Sequence, residues 1–389
     1  MKNIAILHPW FLMKGGGEKV VDVLGEMYPE ADIFTLFCRD EFIPTSFRSR
    51  VMHASPLNEF PRATSGFHRH LMPLYPWAVE NFDLRGYDLI ISSCGPAMMG
   101  ANVDQDATHI CYCHTPQRSW WDLLAEHKAL LKPAPRFLFA LAASRLRTWE
   151  FSAMQRVDTV VANSNYIAQR VHKYFRRESK VIYPPVAVSN RAPAPLNGEY
   201  YLTLGRLEKQ KRVDLLIHAC NRLGRKLLIA GTGKEAAHLK SIAGPRIEFL
   251  GFVRDKELDG LFQNARAFLF AADEDFGIAP VEAQGYGRPV VAYGHGGSLE
   301  TVRAGQKFGS FNSGVYFHEQ TVDSVVDGIR RFETQEDSFV PTLIQQHASQ
   351  FDTSVFIKKF RALVESAFLP GEERYSSNEG CNSPLLVSD

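Results

Sequence analysis

Cysteine is scarce in this chain, and the few present do not suggest pairing. Cys38, Cys94, Cys111, Cys113, Cys220 and Cys381 are scattered over 389 residues. Their spacing fits neither a disulfide framework nor a zinc site, which points to a reducing compartment. Cys111, Cys113 and His114 stand close together, but a metal there would need further ligands from elsewhere. An excess of one charge is also missing. Lys and Arg number 44 against 43 Asp and Glu, for a net charge of +1, so no strong field for nucleic acid or acidic lipid arises. No apolar run approaches the ~20 residues of a membrane span. The start, Met1-Lys2-Asn3-Ile4-Ala5-Ile6-Leu7, turns polar too soon for a signal peptide. A cytoplasmic protein is therefore expected.

What is present suits two α/β domains. The apolar fraction of 45% can fill two cores over this length. Ile4-Ala5-Ile6-Leu7 reads as a strand, Gly15-Gly16-Gly17 as a loop, and Lys19 to Met27 as a helix. Backbone without side chains can approach a phosphate or sugar closely there, although the glycine spacing differs from the dinucleotide fingerprint. Further buried strands are expected at 33–37, 89–92, 109–113 and 159–162. The aromatic, His- and Arg-rich segment from Pro56 to Pro76 reads as loop and short helix, facing an acceptor or solvent. Pro116 holds Thr115 extended and stops the 109–113 strand. His114 thus falls at a strand's carboxyl end, where open α/β sheets bind ligands. Gln117 to Asp122 would line the acceptor side. Pro135 to Met154 is a helix that either rests on a membrane interface, given Phe137, Leu138, Arg145 and Arg147, or serves as a core helix with a solvated basic end. The latter is preferred. Asn163-Ser164-Asn165 caps a helix toward Phe175. Pro184-Pro185 and Ala192-Pro193-Ala194-Pro195 form a stiff linker. The expected domains are 1–187 and 198–350, then a closing helix at 351–370 and a disordered tail at 371–389.

The second half restarts with a strand at Tyr200 to Leu204. Arg206 follows it, and Lys211 opens the next helix. Arg is a planar fork and Lys a compact point charge, a pair suited to a diphosphate. Cations at a helix amino end are unfavourable alone, which argues for an anion between them. Gly231-Thr232-Gly233-Lys234 lacks the upstream glycine of a phosphate loop and has Glu235 where a magnesium-binding hydroxyl is needed, so that reading is rejected. The strand at 247–250 leads to Gly251-Phe252-Val253. Then comes the stretch around which the chain is arranged, Asp273 to Thr301. Glu274 and Glu282 stand eight positions apart, with Phe276-Gly277-Ile278-Ala279-Pro280 between them. The strand Ala267 to Phe270 precedes Glu274. Gly277 permits a turn, and Pro280 suits the first turn of the helix carrying Glu282. That helix start favours an anion. Pro289 to Tyr293 is the next strand, with Ser298 the expected N-cap of the helix after it. Two such turns in succession make a pocket for something polar, phosphorylated and hydroxylated.

The 273–301 stretch resembles the donor-site signature of retaining glycosyltransferases of the family-4 type, in which two Glu flank seven residues. The resemblance extends from Gly15 to Glu300. It implies two Rossmann-like domains facing across a cleft (GT-B type), no metal or cofactor, and a nucleotide-diphosphate sugar as substrate. It further implies Glu274 and His114 against the transferred sugar and Glu282 on the ribose. Gly16 and Gly17 would lie beside the donor phosphates, and Arg206 and Lys211 on them. Phe252 and Val253 would lie near the base, with Phe276, Gly277 and Ile278 completing the donor loop. The helix at 353–368 would cross back to the first domain. The wording around Gln210 to Asp214 and Ala272 to Gly277 is most similar to bacterial GDP-mannose-dependent enzymes of surface polysaccharide synthesis. That branch implies a glycan or lipid-linked glycan acceptor and peripheral contact with the inner membrane face. Kept beside it are a UDP- or ADP-sugar donor, a nucleotide-sugar epimerase, a non-catalytic binder, and a metal at Asp104-Gln105-Asp106 or Asp273-Glu274-Asp275.

Overall fold

The computed structural model describes residues 3–368 apart from 14, 49, 130, 189–192 and 306–310. The tail expected at 371–389 lies outside the described residues.

Two parallel sheets carry the fold. The first contains β1 (Ile4–Phe11), β2 (Asp32–Cys38), β3 (Met52–Ala54), β4 (Leu89–Cys94), β5 (Thr108–Cys113), β6 (Thr159–Ala162) and β7 (Lys180–Val181), in the order β3-β2-β1-β4-β5-β6-β7. The second contains β8 (Tyr200–Leu204), β9 (Leu227–Ala230), β10 (Ile247–Gly251), β11 (Ala265–Phe270), β12 (Val290–Tyr293) and β13 (Gly314–Phe317), in the order β10-β9-β8-β11-β12-β13. Helices cover both faces, so these strands are continuous apolar runs rather than alternating ones. The strand order reverses at β1/β4 and again at β8/β11. Crevices for ligands open at those two places. The expected pair of Rossmann-like domains is present.

Local chemistry explains several departures from the sequence reading. β1 continues through His8-Pro9-Trp10 to Phe11. Its pairing with β4 stops at Leu7, while pairing with β2 runs on to Phe11. Pro9 therefore sits where one side of the strand needs no ladder donor. Lys211 does not open a helix. Lys209–Lys211 is a single 3-10 turn, Arg212 is left-handed at φ 51°, and the helix begins at Val213. Ser298 is the first helical residue rather than the N-cap; Gly297 occupies that position and no side chain caps it. Ser164 does cap the Asn165–Phe175 helix, its hydroxyl accepting from Ile167 N.

The closing helix, Thr353–Ala367, starts at Asp352, whose carboxylate accepts from Ser354 N and from Val188 N, each at 3.0 Å. Its Phe356, Phe360, Leu363 and Val364 enter the core formed by Ile4, Ile6, Val20 and Tyr112 of the first sheet's layer. Chain from after the second sheet thus completes the first domain's core.

Candidate active site

Three loops at the carboxyl edge of the second sheet are pinned together by backbone. Gly205 N donates to Ala230 O at 3.1 Å, Leu207 N to Thr232 O at 2.9 Å, and Gly231 N to Gly251 O at 2.7 Å. A Cβ on Gly231 would fall 1.9 Å from Gly205 O, so only glycine fits that crossing. This clamp projects Arg206 outward, exposed, with Nη1 3.6 Å from Met13 Sδ of the first domain. Phe252 stands at the adjacent strand end, 75% exposed, and Val253 beside it is half-buried. Lys211 reaches inward and forms an ion pair with Glu274 Oε1. Burial first, and then the positive charge of Arg206, push the Lys211 ammonium down to about 8.

Glu274 lies on the loop after β11. Gly297 N donates to its carbonyl at 2.8 Å, and a Cβ on Gly297 would sit 2.3 Å from Phe276 Cα. The Gly296-Gly297 turn therefore locks this loop from behind. The Phe276 side chain is not in the cleft. It packs with Val186, Val281 and Phe351, leaving only its backbone to the site. Gly277 is left-handed at φ 88° and begins the Ile278–Gly285 helix. Glu282, on that helix, is buried and accepts from Lys19 Nζ of the first domain at 2.7 Å.

The first domain meets this loop through its own glycine turn. Gly16 and Gly17 form the first turn of the Gly16–Met27 helix. A Cβ on Gly16 would fall 2.8 Å from Ile278 Cδ1, so side-chain-free backbone is what lets the two lobes touch. Gly17 lies behind His114, its Cβ position 3.6 Å from His114 Nε2. His114 follows β5, and its Nε2 is 2.8 Å from Ser93 Oγ. Burial, assisted by the neighbouring His8, pushes the His114 imidazole down to about 3, so the ring is neutral at physiological pH.

Residues 14–190 match the family described as Glycosyltransferase Family 4, and residues 188–346 match Glycosyl transferases group 1. The two matches join end to end across both domains. The chain belongs to the family-4 type glycosyltransferases. Among curated relatives, the alpha-1,3/1,6-mannosyltransferase ALG2 of Kluyveromyces lactis is 29% identical over 58% of this chain and 53% of that protein. The Saccharomyces cerevisiae one is 27% identical over 57% and 53%. The match thus spans about half the length of these two relatives. That of Candida glabrata is 24% identical over 78% of this chain and 79% of its own. Sucrose-phosphate synthase from Thermosynechococcus elongatus shares the fold at TM-score 0.72 and 15% identity, covering 95% of this chain and 99% of the other. Anabaena HepE in complex with UDP and glucose does so at TM-score 0.66 and 18% identity, covering 94% and 100%.

Around this centre lie contacts that sequence reasoning did not foresee. Arg170 is 8% exposed and reaches across the cleft to Asp275 at 3.0 Å while holding Asp122 at 2.8 Å. Arg118 meets Asp273 at 3.4 Å, and His295 meets the same carboxylate at 3.0 Å. The two aspartates of Asp273-Glu274-Asp275 are thus engaged by first-domain cations. Burial raises the Asp275 carboxyl against the pull of Arg170 and Arg118. Among the described residues, no group of three or more His, Cys, Asp or Glu is arranged to hold a metal ion. Arg118 falls in the 117–122 segment expected on the acceptor side, but its reach to Asp273, like those of Lys19 to Glu282 and Arg170 to Asp275, carried no local signal, because each of these cleft-crossing partners lies more than 100 residues away. His8 and Ser93 were hidden inside apolar strands. Their one clue was a polar residue at the carboxyl end of a strand.

Proposed function

We propose that this glycosyltransferase moves a sugar, mannose from GDP-mannose, to a hydroxyl of a glycan or lipid-linked glycan, with retention at the anomeric carbon. One observation carries the reading. Lys211, with Arg206 in its electrostatic field, meets Glu274 at the β8/β11 switch point, so two cations and a sugar-facing acid converge where the fold places ligands. Arg206 and Lys211 hold the diphosphate and offset the charge that grows on it as the glycosidic C–O bond breaks. Glu274 and His114 hold the sugar, an ionised carboxylate accepting strongly from paired hydroxyls. Glu282 takes the ribose, Phe252 stacks on the base beside Val253, and the backbone of Gly16, Gly17, Phe276, Gly277 and Ile278 encloses the donor. The new C–O bond forms on the face that the diphosphate leaves, and the acceptor's proton passes to the departing phosphate oxygen. The mannosyltransferase names of the relatives support the choice of sugar.

Glu274→Gln and Lys211→Ala should each lower kcat/KM for GDP-mannose by at least about a hundredfold, the size of losing one charge-stabilising group, with folding intact by circular dichroism. Wild-type rates in either variant would refute the assignment. A thermal-shift panel of GDP, UDP and ADP with their sugars fixes the base, since a ligand that binds only the folded state raises its apparent stability. Donor consumed without acceptor would instead indicate an epimerase.

A peripheral membrane contact belongs to the same proposal. On the Pro133–Gln155 helix, Phe137, Leu138 and Leu141 are 70%, 65% and 43% exposed. From His127 to Trp149 the sequence holds Lys128, Lys132, Arg136, Arg145 and Arg147 with no acid. An apolar tip flanked by cations suits an anionic lipid surface. Among the described residues, no helix is long and apolar enough to cross a membrane. Binding to phosphatidylglycerol vesicles should fall in the Phe137→Glu, Leu138→Glu double variant. Equal co-sedimentation of both proteins would exclude this face.

A further inference from the structure

Behind His114 runs a buried polar chain that the proposed reaction does not use. Ser93 is wholly buried in β4 and stands between two imidazoles, with its Oγ 2.8 Å from His114 Nε2 and 3.3 Å from His8 Nδ1. His8 is 3% exposed, at the point where β1 leaves its pairing with β4. Its other nitrogen, Nε2, is buried, has no hydrogen bond, and faces Glu18 Oε1 at 3.8 Å. Glu18 belongs to the first turn of the glycine-rich helix, and a Cβ on Gly15 would touch its Oε2 at 2.8 Å. Gly17 packs against both rings, its Cβ position 3.6 Å from His114 Nε2 and 3.7 Å from His8 Cε1.

Hydrogen bookkeeping along this chain allows few states. A serine hydroxyl has one proton to give and lone pairs to accept. With both rings neutral, the arrangement that uses every proton of the chain has Ser93 donate to one imidazole and accept from the other. A bare lone pair on His8 Nε2, buried and facing a carboxylate, would be repelled by it, whereas an N–H there is attracted. His8 Nε2 thus carries the proton and Nδ1 is the acceptor. Ser93 donates to His8 Nδ1 and accepts from His114 Nε2–H. The neutral His114 ring has only that one proton, so its Nδ1 is left with a lone pair.

We propose that Glu18, His8 and Ser93 are positioning residues that fix the tautomer of His114, making its Nδ1 a hydrogen-bond acceptor for the donor substrate. This gives His114 an accepting role toward the substrate and rests on the reading that His114 faces the transferred sugar. The substrate must then offer a hydroxyl proton at that position. The role of a metal-ligating histidine's outer partner, which fixes a ring's orientation and tautomer, is here taken by a hydroxyl relay.

Two measurements test it. Histidine labelled with 15N in the full chain, with His8→Gln and His114→Gln for assignment, reports which ring nitrogen is protonated without any substrate. His114 should show a protonated Nε2 and a bare Nδ1. Glu18→Gln, whose amide can accept from or donate to His8, should add a second population with His114 Nδ1 protonated. A protonated Nδ1 in the wild type, or a His114 spectrum unmoved by both Glu18→Gln and Ser93→Ala, overturns the proposal. That result leaves the assignment of His114 to the sugar intact. The second measurement uses GDP-mannose analogues with single hydroxyls replaced by hydrogen or by fluorine, which accepts but cannot donate. At the position facing His114 both replacements should lose about tenfold or more in kcat/KM, as befits a missing hydrogen bond. If the fluoro analogue alone retains activity there, Nδ1 is a donor and the proposal fails. If no position responds in the wild type and none is altered in His114→Gln, the sugar contact fails, while the tautomer result stands by itself. Ser93→Ala should lower kcat/KM by about tenfold, and Ser93→Thr, which keeps the hydroxyl, should restore most of it.

Discussion

Lys211 shows how a single side chain can be prepared for an anion. Its ordinary ammonium pKa near 10.5 falls to about 8, first because burial penalises the charge and second because Arg206 is near. An incoming diphosphate would relieve both pressures. The free-enzyme limb of kcat/KM reports this group, so kcat/KM for the donor should decline as pH rises through about 8. Lys211→Arg, which stays charged at any accessible pH, should flatten that limb while lowering the plateau, because a fork does not fit a point-charge site. The same shift has a stability sign. The folded pKa is the lower one, so between about pH 8 and 10.5 unfolding takes up a proton, and stability rises with pH across that window. Lys211→Met should abolish the rise, as read from urea midpoints at pH 8 and pH 10. A wild-type alkaline limb that persists in Lys211→Arg would mean that another group titrates.

Elements rather than single residues decide how much of this molecule could be read in advance. Strands β6 and β8 fall where the sequence places them, because each is a short apolar run bounded by turn residues. β1 runs four residues further than its pattern, since Pro9 ends a strand only if its missing donor is needed. The Glu274 loop was legible from the placement of Gly277, whereas the turn at Lys211 stands where a helix start was expected, and the Lys19, Arg118 and Arg170 contacts depend on how two domains meet. The Pro133–Gln155 helix conceals another long-range feature. Glu150 is fully buried on it, and one carboxylate oxygen, Oε2, accepts from the indoles of Trp120 at 2.8 Å and Trp121 at 2.7 Å. Burial outweighs those two donors and raises the carboxyl to about 7. With the folded pKa above the unfolded value of 4.5, ionisation between the two favours the unfolded chain, so stability falls from about pH 4.5 to 7. At ~1.4 kcal/mol per unit the loss is on the order of 3 kcal/mol. Glu150→Gln keeps an acceptor for both indoles and cannot ionise. Its unpaired amide costs the same at every pH, so its stability relative to wild type should improve by that order between pH 5 and pH 8, measured by urea unfolding. A difference that does not change with pH would contradict the raised carboxyl.

On the scale of the whole molecule, the two domains are held face to face by charge rather than by a large apolar seam at the site. Lys19 to Glu282, Arg118 to Asp273 and Arg170 to Asp275 cross the cleft beside the reaction centre. Further out, Glu300 accepts from Asn165 N, Tyr166 N and the Tyr183 hydroxyl, so a second-domain acid caps a first-domain helix. Pairs with exposed members contribute little; Lys19, with its side chain 55% exposed, is one. Arg170 differs, being buried and also donating to Thr115 Oγ1 at 2.8 Å, one residue from His114. Removing it leaves the half-buried Asp275 without its main cation, a loss of up to about 3 kcal/mol. Asp275→Asn on top of Arg170→Met should recover part of that loss, giving a coupling of about 2 kcal/mol in a double-mutant cycle. If the donor sits mainly on the second domain, as proposed, with His114 supplied by the first, Arg170→Met should lower kcat more than it raises KM for the donor. Additive stability effects, or a change confined to KM, would show that Arg170 supports its own domain rather than the alignment of the two halves.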